Sequence, residues 1–85
     1  MQLGTRWSVG AESPDRLPAA VRDAIRGVDE ELLALASETF DPTTWRWTLT
    51  WLEGRPIAEL DDGTVVRYDD ANDTAIVTPP HDEQL

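Results

Sequence analysis

The sequence predicts an α+β domain of two layers, with one long helix packed on one face of an antiparallel sheet in the order β-α-β-β-β. Three observations carry that expectation. An apolar stripe at three- and four-residue steps runs from Leu17 to Ala36. A period-two alternation runs from Trp45 to Trp51. Turn residues then recur at Glu53-Gly54, at Asp61-Asp62-Gly63 and between Asp69 and Asp73, dividing the remaining chain into short extended segments.

The first element is a strand over residues 3–9. Leu3, Thr5, Trp7 and Val9 share one parity, and Gly4, Arg6 and Ser8 the other. Gly10 to Pro14 break it. Ser13-Pro14-Asp15 suits a capped turn, and Pro18 cannot sit deep in a helix, so the helix begins close to it. Leu17, Val21, Ala24, Ile25, Val28, Leu32, Leu35 and Ala36 then form one stripe, enough for a helix of about 20 residues and about 30 Å. Its charges run against the helix dipole, with Arg16, Arg22 and Arg26 early and Asp29, Glu30, Glu31 and Glu38 late. Two shorter helices, ended by Gly27 and restarted at Asp29, would remove that conflict. The unbroken stripe and the Arg26–Glu30 spacing favour a single helix.

After a loop over residues 39–44, Trp45, Trp47, Leu49 and Trp51 fall on one face and Arg46, Thr48 and Thr50 on the other. A two-residue turn at Glu53-Gly54 sets Trp51 against Pro56, Leu49 against Ala58 and Trp47 against Leu60, all apolar and on one face. The same register sets Thr50 against Ile57, Thr48 against Glu59 and Arg46 against Asp61 on the other. A three-residue turn at Asp61-Asp62-Gly63, with glycine in the left-handed position, places Ala58 opposite Val66 and Pro56 opposite Tyr68. Residues 74–78 form a short last strand, which makes a three- or four-stranded meander. One domain over 1–78 is expected, with 79–85 a disordered acidic tail.

Composition bounds the function. The chain has 85 residues, 17 carboxylates, seven arginines and no lysine, for a formal net charge of −10. That size suits a single domain burying roughly 60–65% of its unfolded surface. The charge disfavours direct binding to a nucleic-acid backbone. No cysteine is present, which removes disulfides, thiolate chemistry and cysteine-ligated metals. The opening MQLGTRWSVG has neither the charged nor the apolar region of a signal peptide, and no apolar run approaches the roughly 20 residues that span a bilayer. A soluble, cytoplasmic protein without membrane contact is expected.

Candidate chemistry is sparse. His81, the single histidine, lies beyond two prolines with nothing to fix it as a base. Ser8, Ser13 and Ser37 lack a nucleophile-elbow context and an activating partner. No glycine-rich phosphate loop occurs. A carboxylate pair acting as a hydrolase is the one enzymatic exception, and a chain this short offers little room for the cleft it needs. No catalytic residue, cofactor site or metal ligand is therefore assigned, and the protein is expected not to be an enzyme. The run Asp69-Asp70-Ala71-Asn72-Asp73 concentrates oxygen ligands, yet it lacks calcium-loop spacing and is what a polar turn selects.

Four tryptophans invite an aromatic platform. Trp45, Trp47 and Trp51 share the apolar sheet face, so they are expected in the core, with Trp45 the most exposed of them. Trp7 cannot be placed, because nothing local says which strand its own strand pairs with. The opposite sheet face carries Arg46, Thr48, Thr50, Ile57, Glu59, Val65 and Arg67, with Leu52 beside them, and the sequence holds no second helix to cover it. The expected function is a small acidic, non-enzymatic protein-interaction module that self-associates through this face, with Leu52, Ile57, Val65 and Arg67 as the contact surface. The alternative is an acidic decoy, a nucleic-acid mimic, antitoxin or phage-type inhibitor that occludes a basic site on its partner.

Overall fold

The computed structural model describes residues 5–80. Leu3 and Gly4 of the expected first strand, and the tail from His81 onward, lie outside the described residues. Five strands form one antiparallel sheet in sequence order: β1 (Thr5–Ser8), β2 (Arg46–Leu52), β3 (Arg55–Leu60), β4 (Val65–Asp69) and β5 (Thr74–Thr78). The helix α1 (Ala19–Ala34) links β1 to β2 and covers one face. A 3-10 turn over Pro42–Thr44 leads into β2, with the Asp41 side chain accepting from the Thr43 N–H at its start.

The hairpin register is the one that alternation demands. Trp47 faces Leu60, Thr48 faces Glu59, Leu49 faces Ala58, Thr50 faces Ile57 and Trp51 faces Pro56. Glu53 and Gly54 have φ of 54° and 82°, the two positive values a tight hairpin turn requires between right-handed strands. At the next turn Gly63 takes φ 102°, its N–H donates to Leu60 O, and Ala58 faces Val66. The opposite charges of Arg46 and Asp61 meet differently from expectation. The backbone N–H of Arg46 donates to the Asp61 carboxylate at 2.9 Å, while the guanidinium 3.7 Å from Asp61 belongs to Arg6 of the neighbouring strand.

Helix α1 is continuous through Gly27, which is exposed and where an added Cβ would meet nothing within 4 Å. It is shorter than expected, at 16 residues. The chain leaves it at Leu35, 68% exposed, and folds into a bridge between Ser37 and Phe40, so Leu35 and Ala36 do not join the buried stripe. Ser13 does not cap the helix. Pro18 occupies the N-cap position without a side-chain bond, and Pro14 O instead receives the Leu17 N–H in a preceding turn. Arg26 lies 3.6 Å from Asp23, so the ion pair runs to i−3 and not to Glu30.

The core joins Val21 and Ile25 of α1 and Leu17 ahead of it to Trp47, Leu49, Ala58, Leu60 and Val66 of the sheet. Trp7 completes it from β1, directly opposite Trp47, with ring centroids 6.4 Å apart and planes 17° from parallel. One acid interrupts this apolar set. Asp29, one of the late acids of the helix, is only 5% exposed. Trp51, expected in the core, is 43% exposed because it lies near the hairpin end, past the span that a 16-residue helix of about 24 Å covers. Trp45 is the better buried of the two, packed edge-on to Phe40 at 5.3 Å.

Candidate functional site

Residues that alternate away from α1 build the open face of the sheet. β1 and β5 extend the sheet at its two sides and leave this face uncovered. Register lines up four rows across it. Thr50, Ile57, Arg67 and Ile76 form the central one. Arg6, Thr48, Glu59, Val65 and Thr78 form the next, Ser8 and Arg46 beside Asp61 the third, and Leu52, Arg55, Asp69 and Thr74 the last.

The expected contact residues all belong to this face. Leu52 is 61% exposed, Arg67 is exposed, and Ile57 and Val65 are half-buried between their polar neighbours. The structure adds Ile76, 44% exposed and opposite Arg67, which was missed because the last strand had no assigned pairing. At the hairpin end Leu52, Arg55, Ile57, Arg67 and Ile76 surround a depression of about 320 Å³. It is amphipathic: these aliphatic side chains share its lining with the guanidinium groups of Arg55 and Arg67 and the carboxylates of Glu53 and Asp69. Arg55 lies 3.6 Å from Asp70, whereas Arg67 has no carboxylate within 4 Å among the described residues.

Charge divides sharply between this face and the rest. The face holds Arg6, Arg46, Arg55 and Arg67 against Glu59, Asp61 and Asp69, four cations against three anions. Elsewhere the described residues hold 12 carboxylates and three arginines. Sequence order hides this division, because acids and arginines interleave along the chain and separate only when alternation and pairing sort them.

The run from Asp69 to Asp73 uses its oxygens internally. Asp69 accepts from the Ala71 N–H at 3.2 Å and the Asn72 side-chain amide at 2.8 Å, and those bonds hold its carboxyl below the usual range. Asp73 accepts from the Tyr68 hydroxyl at 2.7 Å, which, with the surrounding acids, pushes the phenol above its ordinary value. Among the described residues no group of three or more acidic or histidine side chains is placed to hold a metal ion.

A second feature lies under the helix. Asp29 accepts from the Trp47 indole N–H at 2.8 Å and from the Gly10 backbone N–H at 3.0 Å, one donor for each oxygen. Burial pushes its carboxyl up, and the two hydrogen bonds pull it part of the way back. It borders a cavity of about 220 Å³, together with Glu12, Ser13, Arg22 and Arg26. Both Asp29 oxygens serve the fold, tying the β1–α1 loop and β2 to the helix. A signal for this burial exists in the sequence, since Asp29 follows Val21 and Ile25 at steps of four on the buried face. By contrast, the Trp7 indole nitrogen is buried without a partner.

No protein family, curated protein or solved structure matches the chain in comparisons with known proteins.

Proposed function

We propose that this domain is a non-enzymatic protein-interaction module that self-associates through the open sheet face, with Leu52, Ile57, Val65 and Arg67 at its centre and Ile76 beside them. The observation that supports the reading is the charge division. Two copies that meet through the helix side or the loops bring carboxylate-rich surfaces together, and like charges oppose that approach. Through the open face they meet on a nearly balanced set of charges around exposed aliphatic side chains. A small domain also gains by sharing a core it cannot enlarge alone. The described residues contain no helix long and apolar enough to cross a membrane, and we propose a cytoplasmic setting.

Light scattering over a dilution series tests the reading. The wild-type chain is expected to lose mass on dilution, and Ile57→Glu to weaken association while the far-ultraviolet spectrum stays native. A chain that remains monomeric at high concentration removes self-association. The excess of carboxylates away from the face supports a second reading, an acidic decoy for a basic site on another protein. A decoy's partner binding would fall steeply with salt, whereas contact through the balanced face would not.

A further inference from the structure

The sheet ends at β5, and its outer edge is a different surface from the open face. We propose that β5 pairs antiparallel with β5 of a second copy across a two-fold axis at Ile76, joining two five-stranded sheets into one. This contact goes beyond the open-face reading and does not depend on it.

Hydrogen bonds at the second turn fix which backbone groups of β5 are free. Leu60 donates its N–H to Thr64 O and accepts from Gly63 N, each at 2.8 Å, so its backbone groups point toward β4. Antiparallel alternation then turns Val66 toward β3, and Val65, Arg67 and Asp69 toward β5. Their partners Thr78, Ile76 and Thr74 are satisfied by β4. Ala75 and Val77 are left to present N–H and C=O at the open edge, a template for a further strand.

Within Thr74–Thr78 this edge carries no charge, proline or bulge, devices that usually prevent such pairing, and Pro79-Pro80 limit the ladder to these five residues. The chain as a whole is 28% charged, and the register with β4 runs through all of β5. Ile76 and Val77, on opposite faces, are each 44% exposed. A two-fold axis at Ile76 sets Thr74 against Thr78, Ala75 against Val77 and Ile76 against itself. Ala75 and Val77 are the residues with outward backbone groups, so each symmetry-related Ala75–Val77 pair exchanges both N–H···O=C bonds. Hydroxyl then faces hydroxyl on the open side, Ile76 meets its copy between them, and no carboxylate is placed opposite another within the ladder. That self-match, on an uncharged edge of a chain with net charge −10, singles out a second copy as the occupant.

The test uses the Ile57→Glu chain, in which the open face is blocked. Val77→Pro in that background removes one outward N–H, spares the bonds that Ile76 and Thr78 make to β4, and changes a side chain on the helix side. Ile76→Lys, which leaves every backbone bond available and sets like charges across the axis, covers the case in which proline disturbs folding. Light scattering is expected to show dimers of the Ile57→Glu chain that either second substitution dissolves. Amide exchange at Ala75 and Val77 should slow by about tenfold or more with rising concentration, as for amides drawn into a ladder. A dimer that Ile57→Glu alone dissolves supports the open face and overturns the edge. Ala75 and Val77 amides that exchange equally fast at every concentration also overturn it.

Discussion

Replacing Asp29 by asparagine keeps the shape of the side chain and removes one of its two acceptors. Its carboxylate receives the Trp47 indole N–H and the Gly10 N–H, and the amide of asparagine can accept only one of them while its NH2 group confronts the other. One donor is left without a partner under the helix, which costs about 1–3 kcal/mol. For a chain of this length total stability is about 4–13 kcal/mol, so the loss is a large fraction of it. With a urea dependence of about 1.5 kcal/mol per molar, the denaturation midpoint drops by about 0.7–2 M. The pH dependence gives a second, independent reading. Burial raises the carboxyl of Asp29 in the folded protein above its ordinary value of 3.8. Between those two values the folded state holds a proton that the unfolded state has released, so Asp29 makes stability fall as pH rises through this window. Acidification therefore favours the wild type relative to Asp29→Asn, and the stability difference between them widens from neutral pH to about pH 3. Urea melts followed by tryptophan fluorescence measure both effects. A variant as stable as wild type at neutral pH, or a difference that narrows on acidification, refutes the reasoning.

Other expectations follow from burial. Trp47→Ala removes a fully buried indole and should cost about 3–5 kcal/mol, whereas Trp51→Ala, at a 43% exposed position, should cost less than about 1 kcal/mol; denaturant melts of the two variants distinguish them, and equal losses would place Trp51 in the core after all. Gly27→Ala at an exposed helix position with open space around it should stabilise by up to about 1 kcal/mol, read as a higher thermal midpoint, and a decrease would mean that α1 is not a continuous helix there.

How much of the molecule is legible in its sequence depends on the range of the interaction. The β2–β3–β4 register follows from local turn chemistry and period-two alternation, and a slip by one residue would turn Trp47 and Leu49 outward, so few alternatives survive. The single helix follows from its stripe for the same reason. Trp7 is different. Its partner Trp47 lies across a helix and a loop, and no local signal encodes that pairing. Alternation assigns Trp51 to the helix side of the sheet but does not say how far the helix reaches. The open face was legible as residues on one parity; Ile76 and the division of charge became visible only once β1 and β5 took their places at the two edges. Apart from its step of four from Ile25, Asp29 does not stand out among the helix acids in the sequence, because its burial depends on two distant donors, the Trp47 indole and the Gly10 backbone N–H.

The claim that the open sheet face is the interaction surface is tested most directly by following backbone amide chemical shifts of the isotope-labelled protein over a dilution series. Concentration-dependent shifts are expected on Leu52, Ile57, Val65, Arg67 and Ile76, in addition to any at the Ala75 and Val77 edge amides, with α1 unchanged. Shifts that cluster on α1 instead, or spectra that do not change with concentration, would contradict it.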